Sequence, residues 1–233
     1  MEDKSKVIMG LCIMAGLVVL GCMLPQTAKV FRSYERTVNV KGLCEMEVMA
    51  DKVIWPLVIK ESGNDLQTLY NEVNRKNEVL KKFLVDGGIH EDQISLNISS
   101  SDRNTMEYGN DRAYRFILTS VMTVCTEDVA AVIALKSRQS ELISNGVLLA
   151  ESDWENRTVY SFEGLNAIKP MMVEEATRNA RATAQKFAED SGSHLGKIKE
   201  ANQGTFSITD RDSNTPSIKN VRVVTSVTYY LNR

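Results

Sequence analysis

The chain has 233 residues, a formal net charge of -2 and 43% hydrophobic residues. This length suits one globular domain, or two small halves that share a core. The near-zero charge and the lack of any run of five like charges argue against a nucleic-acid partner, which would need a concentrated basic face.

The N-terminal region differs in kind from the rest of the chain. Residues 7–24 (Val7 to Leu24) read VIMGLCIMAGLVVLGCML and contain no charged residue, no Asn and no Gln. As a helix this segment would be roughly 27 Å long, close to the ~30 Å hydrocarbon core of a bilayer, and a helix bonds its own backbone polar groups in lipid. We therefore predict a short tail over residues 1–6, a transmembrane signal-anchor over 7–24, a tether over 25–35 and a folded domain over 36–233.

Three alternatives to the signal-anchor remain open. A cleaved secretory peptide usually has a shorter apolar region, of only ~7–15 residues. A lipoprotein signal would acylate Cys22 at the end of VLGC, and a fourth reading buries the segment in the domain. All but the last place the domain outside the cytoplasm, so we expect a single-pass inner-membrane protein with a periplasmic domain. Basic residues flank the segment on both sides, so charge counting favours neither orientation.

Two strands open the folded part. Residues 36–50 alternate with a period of two, which places on one face Val38, Val40, Cys44, Met46 and Val48. Residues 52–62 form the second strand, where Pro56 indicates an edge or a bulge because proline cannot donate to the ladder.

A first helix is predicted over residues 64–85. Asn64 or Asp65 can accept hydrogen bonds from its first turn, and Gly87-Gly88 ends it. The apolar stripe at helical spacing consists of Leu66, Leu69, Tyr70, Val73, Leu80 and Leu84.

An antiparallel hairpin and a second helix are expected next. The hairpin strands cover residues 94–100 and 114–126, and the longer one places on one face Tyr114, Phe116, Leu118, Met122 and Val124. The helix covers residues 127–143, with Thr126 as its N-cap and a weaker stripe of Val129, Val132 and Ile133. Two more strands are predicted over residues 147–152 and 158–163.

The third helix is distinguished by small residues. It begins at Lys169 or Pro170 and ends near Asp190, and its stripe consists of Ala176, Ala180, Ala184 and Ala188, beside Val173 and Phe187. Such a stripe lets a helix lie close against a sheet, while Glu174 and Arg178 pair on the outer face. Strands over 197–209 and 221–231 follow. The order ββ-α-ββ-α-ββ-α-ββ predicts an α+β fold of mainly antiparallel sheets covered by three helices.

Three stretches of this chain resemble the SIMPL-domain family of cell-envelope proteins. They are VKGLCEMEVMADKV, with Gly42 and Ala50-Asp51, GGIHEDQISL, and the alanine-rich ATRNARATAQKFAEDSGSHLGKI. The likeness runs from about residue 37 to residue 230. The resemblance implies an extracytoplasmic α+β domain, a possible link to oxidative-stress defence, and self-assembly, since one family member forms a ring-like oligomer. It implies no established enzymatic reaction.

The residues themselves point to no catalytic, cofactor-binding or metal site. A nucleophile–base pair would need His90 or His194, and both follow helix ends, where polar residues are common. A zinc site would have to combine these histidines with Cys44 and Cys125, which lack ligand spacing. Cys44 and Met46 share a strand face that would suit copper(I), although a core position explains them better. Whether Cys44 and Cys125 form a disulfide is left open.

The remaining candidate residues also have ordinary structural explanations. Closely spaced carboxylates are typical of solvent-exposed surfaces and first helical turns. They occur here at Glu45/Glu47, Glu91/Asp92, Glu127/Asp128 and Glu174/Glu175. Trp55 is expected in the core, whereas Trp154 lies in a polar segment that suits a contact surface.

Three functions therefore compete. The first is a non-enzymatic, membrane-tethered domain that acts by self-association, as a homo-oligomer joined through free strand edges. The second is a ligand- or peptide-binding envelope module with a cleft rimmed by residues 101–112 and 210–217. The third is an enzyme, which we do not expect.

Overall fold

The computed structural model describes residues 9–10, 14–21, 36–103, 114–150 and 154–232. From residue 36 onward the described elements follow one another in this order: β1 (Thr37–Met49), β2 (Lys52–Gly63), α1 (Leu66–Asp86), a 3-10 helix (Glu91–Gln93), β3 (Ile94–Asp102), β4 (Phe116–Thr126), α2 (Val129–Ser137), α3 (Ser140–Ser144), β5 (Val159–Ser161), α4 (Leu165–Asp190), β6 (His194–Gln203), β7 (Ser207–Asp210) and β8 (Ile218–Asn232). The α+β class with antiparallel sheets is confirmed.

The apolar N-terminal segment is described only in part. Residues 9–10 and 14–21 are helical, whereas the rest of 7–24, the tail 1–6 and the tether 25–35 lie outside the described residues, as do Cys12 and Cys22. Within the described part, the structure contains no helix with the length and apolar character needed to span a membrane. The signal-anchor therefore stays a prediction.

The folded part divides into two compact units. One comprises the described parts of 1–46 together with 168–207 and 221–233, and the other comprises the described parts of 47–167 and 208–220.

In the second unit, four strands form a sheet in the order β3-β4-β2-β5. The pairing of β3 with β4 is antiparallel, from Ile94 opposite Val124 to Asp102 opposite Phe116, which confirms the predicted hairpin. Along β2, alternate side chains enter the core beneath α1 and α2, and these are Val53, Trp55, Leu57 and Ile59. Pro56 is tolerated because the short β5 pairs only with residues 52–54 of β2.

The sheet of the first unit lies under α4. Its strand order is β1-β8-β6, and β7 pairs with β8; residues 208–210 of β7 and 218–220 of β8 belong to the second unit. All four alanines of the predicted stripe are fully buried, and Ala180 and Ala184 pack on Val40, Val227 and Tyr229. The approach is so close that a Cβ added to Gly42 would lie 1.8 Å from the carbonyl oxygen of Ala176. The small-residue stripe therefore does what the sequence predicts.

Four α-helices follow residue 36 in the described structure, where the sequence predicts three. The predicted helix over 127–143 divides into α2 and α3, because the Ser137 hydroxyl donates to the Ala134 carbonyl oxygen at 2.6 Å and the next bonds tighten to i→i−3 spacing. Thr126 is not the N-cap of α2: Asp128 is, since its carboxylate accepts from the backbone N–H of Ala131 at 2.9 Å.

The start of α4 is also earlier than predicted. The helix begins at Leu165, so Pro170 lies inside it instead of in its first turn. Asp51 explains this start, because its carboxylate accepts hydrogen bonds from the backbone N–H groups of Glu163 and Gly164, both at 2.7 Å. These bonds satisfy amides at the entrance of the helix, far from Asp51 in sequence.

Two predicted strands differ from the structure. Residues 147–150 are not in a strand, and 151–152 lie outside the described residues. The predicted strand over 197–209 divides into β6 and β7 at Gly204, whose N–H donates to the Val224 carbonyl oxygen at 2.9 Å. A Cβ there would lie 2.5 Å from the same oxygen, so the backbones approach too closely for a longer side chain.

Four stripe residues are exposed where the sequence predicts burial. Their exposed fractions are 44% for Leu66, 46% for Tyr70, 56% for Phe187 and 40% for Ile133. Asn77 instead occupies a buried position of α1, where the Ser120 hydroxyl donates to its side-chain oxygen at 2.9 Å.

Candidate functional site

A groove of about 670 Å³, lined by both apolar and polar side chains, lies between the start of α1 and the C-terminal half of β3. Its walls are formed by Asp65, Leu66, Gln67 and Tyr70 of the helix side and by Ile98, Ser100 and Leu118 of the sheet. We name this surface the β3 groove. None of residues 210–217 lines it, and residues 104–112 of the other predicted rim lie outside the described residues.

The helix wall of the β3 groove is held in place by a cap at the start of α1 and by side-chain packing one turn later. Asp65 caps α1 by accepting from the backbone N–H of Thr68 at 2.9 Å, and hydrogen bonds from Thr68 lower the pKa of the Asp65 carboxyl. One turn further on, Leu69 and Val73 pack on Leu118. Leu69 and Val73 therefore contact the sheet, whereas Leu66 and Tyr70 of the same stripe line the groove.

The sheet wall of the groove is an open strand edge. In the described part of the chain, β3 pairs only with β4, so its other edge has no partner strand. From Ile94 to Ser101 this strand carries no charged side chain, and Leu96 is 49% exposed. An uncharged edge of this length is a ready template for a further strand.

Two other terminal strands, β6 and β1, are protected in ways that β3 is not, and the terminal β5 has only three residues. Strand β6 carries Lys197, Lys199 and Glu200, and its register is broken by irregularities between Leu195 and Glu200. Strand β1 carries exposed charges at Lys41, Glu45 and Glu47. Charges and bulges at an edge oppose strand addition, so β3 is the edge best suited to association.

A second, polar depression of about 540 Å³ gathers two residues that the sequence analysis singled out. Cys125 and His90 both line it, with Lys52, Gly88, Gln93, Thr126, Glu127 and Asp128. No hydrogen bond joins the Cys125 thiol to the His90 imidazole in the described structure, and the Lys52 ammonium is paired with Glu163 at 2.8 Å. That hydrogen bond to Glu163 raises the pKa of Lys52. The depression therefore holds a cysteine and a histidine without the bonded arrangement of a nucleophile and its base.

The remaining candidate ligands do not come together with these two. His194 is exposed at the start of β6, and Cys44 is buried in β1, where desolvation raises the pKa of its thiol. Both Cys44 and Cys125 are free thiols. Over the described residues, no three His, Cys, Asp or Glu side chains are grouped as a metal site would require.

Most carboxylates of the four adjacent pairs have structural partners. Asp128 caps α2, and basic side chains bind the others at distances between 2.8 and 3.7 Å: Glu45 with Arg222, Glu47 with Arg211, Glu91 with Lys81, and Glu174 and Glu175 with Arg178. The predicted pair of Glu174 with Arg178 is thereby confirmed. Trp55 is 2% exposed, as expected for a core residue, and Trp154 is 82% exposed.

The β3 groove is the feature that the sequence analysis missed. Leu66 and Tyr70 were assigned to the core because they continue the helical stripe of α1. No signal within the stripe distinguishes them, because Leu66 has the same angular position on the helix as Leu84, which is fully buried.

A family model matches most of the chain. The model of a family described as SIMPL, protein of unknown function (DUF541), matches residues 38–229. No curated protein matches the chain.

Proposed function

Because the chain belongs to the SIMPL family, whose function is unknown, we propose its role from its own geometry. It is a non-enzymatic domain that acts by self-association through the open edge of β3. Residues 7–24 tether it to the inner membrane and place it on the extracytoplasmic side, where it serves the cell envelope in a role linked to oxidative-stress defence.

The uncharged outer edge of β3 is the observation that carries this proposal. Residues 94–101 form an edge with no charged side chain to repel a partner, and alternate residues direct their backbone N–H and C=O groups away from β4. Exposed Leu96 and the apolar wall at Tyr70 add surface that association would remove from water. Tethering supports the same role, because chains held on one membrane meet at a raised effective concentration.

The test is the mass of the full-length chain in detergent micelles, measured by light scattering with correction for bound detergent. We expect an oligomer for the unaltered chain and a shift toward the monomer for Leu96→Lys, which puts a charge at the edge. Leu148→Lys is the matched control, since Leu148 is 68% exposed and lies outside β3. A monomer at high protein concentration would refute the proposal.

The tether has an independent test. Intact-mass measurement of membrane-extracted protein should give the complete chain of 233 residues. A mass lacking the first residues would indicate cleavage, and added acyl chains on Cys22 would indicate a lipoprotein. Either result would replace the signal-anchor part of the proposal.

The volume of the β3 groove favours a second candidate function, an envelope module that binds an extended ligand or peptide. About 670 Å³ is within the range of small-molecule sites. A strictly monomeric protein whose Tyr70 resonances shift on titration with an uncharged, extended peptide would favour this candidate over self-association.

A further inference from the structure

We infer that the strand which completes the β3 edge is β3 of a second copy of this chain, paired antiparallel about a two-fold axis through Ile98, with Leu96 of each copy filling the β3 groove of the other. This inference rests on the proposed self-association and adds to it the interface, the register and the residue that enters the groove.

Core-directed and polar side chains alternate along β3, and this pattern allows β3 to pair with β3 of a second copy. Ile94, Leu96, Ile98 and Ser100 lie on the face that is directed toward the core, and the opposite face carries Ser95, Asn97, Ser99 and Ser101. A two-fold axis perpendicular to the sheet joins two antiparallel strands with the same faces on the same side. The core-directed faces of the two copies therefore form one continuous surface, and the polar faces form the other.

The residues that line the β3 groove favour one register of β3 against β3 of the second copy. It is lined by Ile98 and Ser100 of β3. If the axis passes through Ile98, the residues opposite these two are Ile98 and Leu96 of the second copy. The small Ser100 side chain leaves room for the leucine opposite it, and that leucine is 49% exposed in the single chain. The pairing thus covers an exposed apolar side chain and fills the groove at the same time.

The neighbouring registers are less favourable because they pair fewer strand residues, and an axis through Ser99 would pair only residues 96–102 and place Asp102 opposite Leu96. An axis through Ile98 pairs the whole of Ile94–Asp102 with its copy and places Asp102 opposite Ile94. An axis through Asn97 pairs only residues 94–100 of the two strands and leaves Ser101 and Asp102 with no strand residue opposite them, because residues 91–93 form the 3-10 helix. An axis through Leu96 pairs only residues 94–98 of the two strands, so no strand residue of the second copy lies opposite Ser100 to fill the groove.

Oxidative cross-linking of the full-length chain in detergent distinguishes the registers. Cys12, Cys22 and Cys125 are replaced by serine, and the buried Cys44 is kept. Asn97→Cys and Ser99→Cys chains, carrying tags of different size, are co-expressed or expressed singly. With the axis at Ile98, residues 97 and 99 face each other across the two strands, on the polar face, within the reach of a disulfide.

We expect a cross-linked heterodimer from co-expression and at least a tenfold lower yield of dimer from either variant alone. Cross-linking of Asn97→Cys alone would place the axis at Asn97 and overturn the register. An oligomer that Leu96→Lys shifts toward the monomer but that forms no such heterodimer would overturn this inference while leaving self-association through the β3 edge intact. A monomeric chain would overturn both.

Discussion

Replacing Gly42 by alanine tests the tightest of the described glycine positions. The added Cβ would lie 1.8 Å from the carbonyl oxygen of Ala176 and 2.6 Å from the backbone nitrogen of Ala180. Both obstacles are helix backbone, which has no rotamer to change. To reach even the shortest contacts seen for Cβ atoms, 3.0 Å, α4 and β1 would have to separate by more than an ångström.

The expected cost follows from that separation. A radial gap of 0.5–1 Å already forfeits about a quarter to a half of the dispersion energy between packed atoms. Overpacking commonly costs about 1–3 kcal/mol, and a rigid backbone obstacle lies at or above the upper end. Alanine is preferred to glycine in a strand interior by roughly 0.5–1 kcal/mol, which offsets only part of this cost. We therefore expect Gly42→Ala to lower the free energy of unfolding by about 3 kcal/mol or more.

Urea unfolding of the full-length chain in a mild non-ionic detergent, followed by circular dichroism, measures this loss. Gly63→Ala is the matched control, since its Cβ would meet only the flexible end of Leu69 at 3.2 Å. We expect it to change the free energy of unfolding by less than about 1 kcal/mol. If Gly42→Ala is as stable as this control, α4 does not lie directly on the β1 backbone and the packing argument is wrong.

Three further predictions concern buried and capping polar groups. Asp51→Ala should lower the free energy of unfolding by about 1–2 kcal/mol, because two backbone N–H groups at the start of α4 lose their acceptor, and Asp51→Asn should lose less in the same urea assay. Ser120→Ala should cost about 1–3 kcal/mol, because it leaves the buried amide of Asn77 without its partner, and adding Asn77→Leu should recover most of that loss; no recovery would contradict a desolvation cost. Hydrogen bonds from Thr215 hold the pKa of the Asp212 carboxyl below its ordinary value, so its contribution to stability is present above about pH 4 and is lost as the pH falls further. Urea midpoints measured against pH should thus fall more steeply for the unaltered chain than for Asp212→Asn, and parallel curves would contradict this.

The sequence predicted those parts of the fold that local patterns determine. The alternation of the hairpin strands and the alanine stripe of α4 appear at the predicted positions, and Asp65, one of the two predicted caps, is the N-cap of α1. Each depends on residues within a few positions of one another, so one chain segment contains the whole signal.

The parts that were missed depend on residues that are distant in sequence. The start of α4 is set by Asp51, which lies 112 and 113 residues before the two amides that it binds. The exposure of Leu66 and Tyr70 depends on where the sheet ends, and no pattern within α1 contains that information. The β3 groove could not be predicted for the same reason, because it combines the first turns of α1 with residues of β3 and β4 from further along the chain.

The hydrogen bond between Asn77 and Ser120 has a consequence for the groove two helical turns away. A helix that meets a sheet through leucine and valine alone can rotate slightly about its axis, since such contacts have little directional preference. One buried polar pair removes that freedom, because rotation would break a bond that water cannot replace. Asn77 thereby fixes the rotation of α1 about its own axis, and this rotation determines the direction in which the Tyr70 side chain points. A double variant, Asn77→Leu with Ser120→Ala, should accordingly remain folded yet show a broadened, averaged Tyr70 ring signal by NMR.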